Sequence, residues 1–127
     1  MEKMLQKEMQ SELKDRIRGE VLFDEYTLGV YATDASIYQF MPLAVVVPAD
    51  ESDVANALEM ARKYHLPVVP RGGGTSLGGQ AAGSAMVLDF SKYMNRVLEI
   101  NVMERWVRVQ PGIVLDEGCS LELSNPV

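Results

Sequence analysis

The sequence is poor in the residues that build disulfides and metal centres. Its 127 residues include one cysteine, Cys119, and one histidine, His65. A single cysteine excludes an internal disulfide and gives no sign of an oxidising compartment. One cysteine and one histidine are also too few ligands for an ordinary zinc site. We therefore expect no metal site in this chain.

Long apolar runs are absent as well. The longest clean run near the amino terminus, residues 43–47, is far too short to span a bilayer. The chain opens with Met1-Glu2-Lys3 and stays charged, so we expect no signal peptide, no transmembrane segment and a cytoplasmic location. The net charge of -6 argues against a nucleic-acid surface, which is normally basic.

Two common nucleotide-binding motifs are missing, although glycine is concentrated in one place. Of 10 glycines, those at 72, 73, 74, 78 and 79 lie within eight positions. No Gly-Lys pair occurs in the chain, which excludes the Walker A loop. The dinucleotide fingerprint G-x-G-x-x-G fails because its last position, counted from Gly72, is Leu77. A phosphate bound by these glycines would therefore be bound by neither of the two motifs.

The glycine-rich stretch, residues 70–80, is the strongest candidate for a binding site. It reads Pro-Arg-Gly-Gly-Gly-Thr-Ser-Leu-Gly-Gly-Gln. Glycine lets backbone N–H groups approach a ligand closely, and successive N–H groups form a nest for anions. Thr75 and Ser76 add hydroxyl donors, and Arg71 adds a fixed positive charge, as a pyrophosphate requires. A flexible linker between two strands is the alternative.

Hydrophobic periodicity predicts a helix at the start of the chain. Residues 2–18 carry one apolar stripe on an otherwise charged cylinder, and Gly19 is a plausible stop. The stripe consists of Leu5, Met9, Leu13 and Ile17. Residues 20–41 show no regular pattern. Within them the polar segment 31–36 is a weak candidate for lining a site and is more typical of a turn closed by Asp34 and Ser36.

A β–α–β unit is predicted next. Residues 42–48 are apolar on both faces and bracketed by prolines, which indicates a buried strand. A helix capped by Asp50 or Ser52 follows and ends before Pro67. Its expected core face consists of Val54, Ala57, Leu58 and Ala61. We expect the strand at 68–69 to be the parallel neighbour of the first strand, with the glycine-rich stretch at its carboxyl end, where parallel sheets bind ligands.

The remaining sequence predicts a third strand over 85–90 and a hairpin of strands 96–100 and 106–109. Trp106 is expected in the core, and the arginines at 96, 105 and 108 on the solvated face of the hairpin. Pro111-Gly112 indicates a turn or a close backbone approach. A helix is expected to start at Ile113. His65 is expected to be a capping or surface residue rather than a catalytic one.

The order of these parts resembles the start of the FAD-binding domain of the vanillyl-alcohol-oxidase/p-cresol-methylhydroxylase (PCMH) superfamily. The resemblance rests on the glycine-rich stretch, on Leu-Asp-Phe-Ser-x-x-x-Asn-Arg-Val-Leu-Glu-Ile over residues 88–100, and on Val-Arg-Val-Gln-Pro-Gly over residues 107–112. It covers residues 15–116. The nearest branch is the glycolate oxidase subunit/D-lactate dehydrogenase type, and its large fused members with a C-terminal iron–sulfur part look closest.

The resemblance implies an α+β fold, with an N-terminal helix over 1–19 and a partial FAD-binding domain over 20–127. It also implies noncovalent FAD, because the position of the histidine that carries covalent flavin in some relatives is Thr75 here. In the family the loop holds the FAD pyrophosphate, mostly through backbone N–H groups. The residues implied are Arg71, Gly72, Gly73, Gly74, Thr75 and Ser76, with Gly78, Gly79 and Gln80 shaping the return and Pro42 beside the flavin.

The chain departs from the family in two respects. The second glycine-rich segment and the substrate domain of the family lie beyond Val127, so no catalytic residue is predicted here. Residues 118–124 do not continue the helix expected after Leu115. We expect the FAD-binding segment of an oxidoreductase that oxidises a 2-hydroxy acid by hydride transfer to FAD in its full-length form, inactive alone. The sequence leaves FAD retention open. The alternative is a non-enzymatic remnant, or a nucleotide- or phosphate-binding module that dimerises through exposed sheet edges.

Overall fold

The computed structural model describes residues 2–32, 41–74 and 85–114. Helices and strands alternate within these ranges, which confirms the predicted mixed class. The elements are α1 (Glu2–Arg16), β1 (Glu20–Leu22), α2 (Glu25–Val30), β2 (Ala44–Val47), α3 (Glu51–Lys63), β3 (Val68–Arg71), β4 (Met86–Asp89), β5 (Val97–Asn101) and β6 (Trp106–Val109). No helix of the described ranges is long and apolar enough to cross a membrane.

The main sheet has the strand order β1-β2-β4-β3. Strand β4 is parallel to both of its neighbours, and Leu88 pairs with Val46 on one side and with Pro70 on the other. The prediction that β2 and β3 are adjacent is therefore wrong. All four residues of β4 are buried, which suits a strand covered on both faces and paired at both edges. Hydrophobic patterning identifies such a strand but does not say between which partners it inserts.

The segment after α1 is more ordered than its sequence suggests. Strand β1 pairs antiparallel with β2, with Val21 opposite Val46. Helix α2 follows, and the side chain of its N-cap residue Asp24 accepts a hydrogen bond from the backbone N–H of Thr27. The prediction of an irregular segment from residue 20 is thus wrong over both elements. Three and six residues are too few to establish a period.

Helices cover both faces of the main sheet. On one face, α1 and α3 pack against the sheet in a cluster that includes Leu13, Val46, Met60 and Leu88. On the opposite face, Val45, Val47 and Val87 form a cluster with Leu22 of β1, and Leu28 and Tyr31 from the region of α2 pack against it. This two-sided burial explains why β2 and β4 read as continuous apolar runs.

The buried face of α3 differs from the prediction. Leu58 is 47% exposed, whereas Met60 is buried among the residues of α1 and the sheet. The sequence of α3 allows two alternative apolar faces, because residues 57, 58, 60 and 61 are all apolar. Packing against α1 buries the face that contains Met60. Helix α1 shows a smaller difference, because Leu5 of its predicted stripe is exposed while Met9, Leu13 and Ile17 are buried.

Helix α3 ends in a left-handed residue, His65, at φ 54°. The backbone N–H of Leu66 donates to the carbonyl of Ala61 at 2.8 Å, and that of His65 donates to the carbonyl of Arg62 at 3.3 Å. This pair of bonds defines a Schellman motif. His65 was expected to be a capping or surface residue; it is exposed and lies one residue beyond the C-cap residue Tyr64.

Strands β5 and β6 form a separate two-stranded antiparallel sheet. The arginines at 96, 105 and 108 are exposed, as predicted. Trp106 is only half-buried, so its prediction as a core residue is wrong. Its indole N–H donates to Glu104 at 3.0 Å, and Arg108 lies over its ring at 5.4 Å. Within the described ranges no second layer covers this sheet.

The chain leaves β6 through the predicted close approach. The N–H of Gly112 donates to the carbonyl of Met94 at 2.8 Å, and a Cβ at position 112 would lie 2.0 Å from the carbonyl oxygen of Phe90. Only glycine fits there. The helix predicted from Ile113 is not formed at Ile113 or Val114, and its remainder lies outside the described residues, as does the turn predicted at Asp34 and Ser36.

Candidate functional site

The carboxyl ends of β3 and β4 lie side by side. Arg71, the last residue of β3, pairs in register with Asp89, the last residue of β4. The N–H of Phe90 donates to the carbonyl of Arg71 at 3.0 Å and extends the pairing by one bond. A fixed cation and a buried carboxylate therefore stand on adjacent strands at the sheet edge where parallel strands bind ligands.

A glycine turn folds over the Arg71 side chain. Gly72, Gly73 and Gly74 follow β3, and Gly74 takes φ +70°. A Cβ on Gly74 would lie 2.5 Å from Nη2 of Arg71. Any side chain at position 74 would thus strain the backbone and collide with the guanidinium. The turn needs glycine for its conformation and for its closeness to the charge.

Tyr31 also contacts the Arg71 guanidinium. It is the C-cap residue of α2, and its carbonyl accepts a hydrogen bond from Nη1 of Arg71 at 3.3 Å. The guanidinium carbon lies 5.2 Å from the centre of the Tyr31 ring, within the range of a cation–π interaction. One residue of α2 therefore contacts the arginine through both its backbone and its ring.

The same tyrosine also bonds to the buried carboxylate. Its hydroxyl donates to Oδ2 of Asp89, which is 6% exposed. Ser91 donates to Oδ1 of Asp89 through its backbone N–H at 2.9 Å and through its hydroxyl at 2.6 Å. Burial raises the pKa of Tyr31, and the hydrogen bond and charge of Asp89 raise it further. The phenol therefore remains a hydrogen-bond donor throughout the neutral range.

The structure brings part of the predicted site together. Arg71, Gly72 and Gly74 form the turn, and Gly73 is exposed at its tip. Pro42 is buried just before β2, at the amino edge of the parallel strands and therefore opposite the edge of Arg71. The neighbouring Leu43 donates its N–H to the carbonyl of Ala85, which leads into β4, at 2.9 Å. The other predicted site residues lie outside the described ranges: Thr75, Ser76, Gly78, Gly79 and Gln80.

Three further residues belong to this arrangement and were not predicted as site residues. Tyr31 contacts Arg71, Asp89 accepts a hydrogen bond from Tyr31, and Ser91 donates to Asp89. The sequence did contain a signal for Asp89 and Ser91. Asp89 ends an otherwise apolar strand, and Ser91 follows it two positions later. Tyr31 lies in the polar segment 31–36, which was only a weak candidate. Its place beside Arg71 depends on how α2 packs, which the local sequence does not reveal.

The donor set at this edge fits an anionic ligand such as a pyrophosphate. The set consists of the Arg71 guanidinium, which Tyr31 contacts, and of the glycine turn beside it. Because glycine has no Cβ, the backbone of the turn can lie close to the guanidinium. The described residues contain no group of three His, Cys, Asp or Glu side chains that could hold a metal ion.

Solved structures with the same architecture are flavoprotein oxidases and their relatives. The chain superposes on a 4-ethylphenol oxidase from Gulosibacter chungangensis with a TM-score of 0.76 and 30% identity, covering 91% of this chain and 24% of that one. It superposes on p-cresol methylhydroxylase with a TM-score of 0.80 and 19% identity, covering 94% and 24%. The second comparison is evidence of fold alone. The fold is that of the amino-terminal part of a PCMH-type FAD-binding domain.

Residues 42–117, more than half of the chain, match the family model described as FAD binding domain. The chain belongs to this family, and FAD is its cofactor. Its sequence is 48% identical over 103 residues to a D-2-hydroxyglutarate dehydrogenase of Pseudomonas putida, covering 79% of this chain and 10% of that protein. It is 34% identical over 115 residues to the glycolate oxidase subunit GlcD of Bacillus subtilis, covering 87% and 24%. The chain thus spans between a tenth and a quarter of these relatives.

Proposed function

We propose that the Arg71–Gly74 turn and the stretch that follows it bind the pyrophosphate of FAD. The observation that carries this proposal is the glycine turn folded over a guanidinium at the carboxyl edge of β3 and β4. With a net charge of -6, the chain needs such a local cation to attract a phosphate. In the proposal, Arg71 supplies the charge, and the backbone N–H groups of Gly72, Gly73 and Gly74 donate to the phosphate oxygens.

The remaining predicted residues extend this site along the glycine-rich stretch. In the proposal, the hydroxyls of Thr75 and Ser76 donate to phosphate oxygens, Gly78, Gly79 and Gln80 shape the return of the chain, and Pro42 lies beside the flavin. Pro42 precedes β2 at the edge of the sheet where Ala85 leads into β4, which is the edge opposite to Arg71. Thr75 in place of a histidine supports noncovalent attachment.

We propose that the full-length protein oxidises a 2-hydroxy acid and that this chain contributes the first part of its flavin site. When bound, FAD accepts a hydride from the substrate, and the protein positions the two. The names of the relatives support the substrate class, with 2-hydroxyglutarate as the first candidate. We further propose that the chain alone is inactive and cytoplasmic. Its proposed division is an N-terminal segment over 1–19, which contains α1, and a partial FAD-binding domain over 20–127.

Absorption and melting of the purified protein test cofactor binding. Bands at about 370 and 450 nm, the usual positions for oxidised flavin, should be present or appear on adding FAD, and saturating FAD should raise the melting temperature. Gly73→Val should abolish that rise by obstructing the turn. Gly29→Ala in α2 is a matched control, because a Cβ there meets nothing within 4 Å. If saturating FAD changes neither the absorption spectrum nor the melting temperature of the parent chain, the chain does not bind FAD by itself.

A second candidate, a self-associating module without enzymatic activity, is favoured by the surface of the β5–β6 sheet. This sheet exposes Leu98, Met103, Val107 and Val109. The edges of the main sheet are less suited to pairing, because β1 has three residues and β3 contains Pro70. We therefore propose that any homodimer forms through the hairpin. Sedimentation of the parent chain and of Leu98→Lys decides this: an unchanged monomer–dimer distribution excludes the hairpin as the interface.

A further inference from the structure

We propose that Tyr31, anchored by Asp89, is a positioning residue that fixes the guanidinium of Arg71 before a phosphate ligand binds. This inference takes the ligand from the proposed function but adds residues that the glycine-rich stretch does not contain. It assigns a role in the site to the end of α2 and to the end of β4.

The argument starts from the contacts of Arg71. Its Nη1 donates to the carbonyl of Tyr31, and the tyrosine ring faces its guanidinium carbon at 5.2 Å. Its Nη2 lies 2.5 Å from where a Cβ of Gly74 would be. The guanidinium therefore lies close to both the aromatic ring and the glycine turn.

The tyrosine is itself fixed. Its hydroxyl donates to Asp89, whose other carboxylate oxygen accepts two hydrogen bonds from Ser91. Asp89 ends β4, a strand that is paired on both sides, and is itself in register with Arg71 of β3. The contacts thus connect β4 to Arg71 through the carboxylate of Asp89 and the side chain of Tyr31.

Such an arrangement has a physical benefit for binding. A long arginine side chain loses conformational entropy when a ligand orders it, and a side chain that is ordered beforehand avoids that loss. Binding is then stronger although the ordering residue does not touch the ligand. Tyr31 contributes in this way, and Arg71 and the glycine backbone make the contacts.

The first test measures the order of Arg71 without any ligand. In Tyr31→Phe the ring and the backbone carbonyl remain, and only the bond to Asp89 is lost. We expect the ¹H–¹⁵N heteronuclear NOE of the Arg71 Nε–H group to fall in this variant. Tyr26→Phe is the matched control, because Tyr26 lies on the same helix and is 84% exposed. An unchanged NOE in Tyr31→Phe overturns the inference. Should Tyr31→Phe fail to fold, Asp89→Ala removes the acceptor of the same hydrogen bond and should give the same fall.

The second test measures FAD affinity by flavin fluorescence in a double-mutant cycle. Tyr31→Phe should weaken binding about tenfold, the order expected for loss of one hydrogen bond to a charged group. In an Arg71→Ala background the same change should have no further effect. If Arg71→Ala weakens binding and Tyr31→Phe does not, the positioning role is wrong while the proposed site stands. If Arg71→Ala leaves binding unchanged, the proposed site is wrong, and the NOE still decides whether Tyr31 orders Arg71.

Discussion

The carboxylate of Asp53 accepts a 2.8 Å hydrogen bond from the backbone N–H of Gly19, 34 residues earlier in the chain. It also accepts 2.8 Å bonds from the N–H groups of Arg18 and Ala49. Asp53 is fully buried at the start of α3. One side chain thus satisfies three backbone donors where α1, β1 and α3 meet, and it holds the helical layer against the sheet.

Replacing Asp53 should destabilise the fold strongly. Asp53→Ala leaves three backbone donors without this acceptor, and we expect a loss of about 2–4 kcal/mol in the free energy of unfolding. Glu51→Ala removes an exposed acidic residue from the same helical turn and should cost less than about 1 kcal/mol. Urea unfolding of both variants measures the difference. Equal losses would mean that Asp53 acts only through its charge at the helix terminus.

The same carboxylate should make stability depend on pH. Burial opposes ionisation of Asp53, but the hydrogen bonds from Arg18, Ala49 and Gly19 outweigh it and lower its pKa. The ionised carboxylate therefore stabilises the fold fully above about pH 4, where the aspartate of the unfolded chain is also ionised. This stabilisation is lost as the pH falls through the pKa that Asp53 has in the folded protein, which is lower. The gap in unfolding free energy between the parent chain and Asp53→Asn should narrow from pH 7 to pH 3. A gap that stays constant over this range contradicts the prediction.

The end of α3 offers a stabilising substitution. His65 occupies a left-handed position that favours glycine, so His65→Gly should raise the free energy of unfolding by about 0.5–1 kcal/mol. His65→Ala is the matched control, because it removes the imidazole but keeps the Cβ. Thermal unfolding should show stabilisation in the glycine variant alone. If both variants are stabilised to the same extent, the imidazole rather than the backbone conformation is responsible.

The turn over Arg71 should tolerate no side chain at position 74. Gly74→Ala places a Cβ against the guanidinium at positive φ, and we expect a loss of about 1–2 kcal/mol in stability together with weaker FAD binding. Gly29→Ala should instead stabilise α2 by a few tenths of a kcal/mol up to about 1 kcal/mol. Melting temperatures with and without FAD separate the two effects. Normal FAD affinity in Gly74→Ala would show that the turn can rearrange without harm to the site.

The sequence determined most of the elements and the position of the candidate site. Continuous apolar runs identified β2 and β4, Asp50 marked the start of α3, and the glycines placed a close-approach turn next to Arg71. These features are local, because strand burial, helix capping and positive φ depend on residues a few positions apart.

Only the tertiary structure decided the neighbours. It inserted β4 between β2 and β3, turned Met60 rather than Leu58 into the core, and brought Tyr31 and Asp89 from distant parts of the chain to Arg71. Strand order and side-chain partners depend on how whole elements pack against each other. The residue pattern within one element carries no information about that packing. The sequence therefore predicted where a phosphate would bind, and the fold showed which residue contacts Arg71 there.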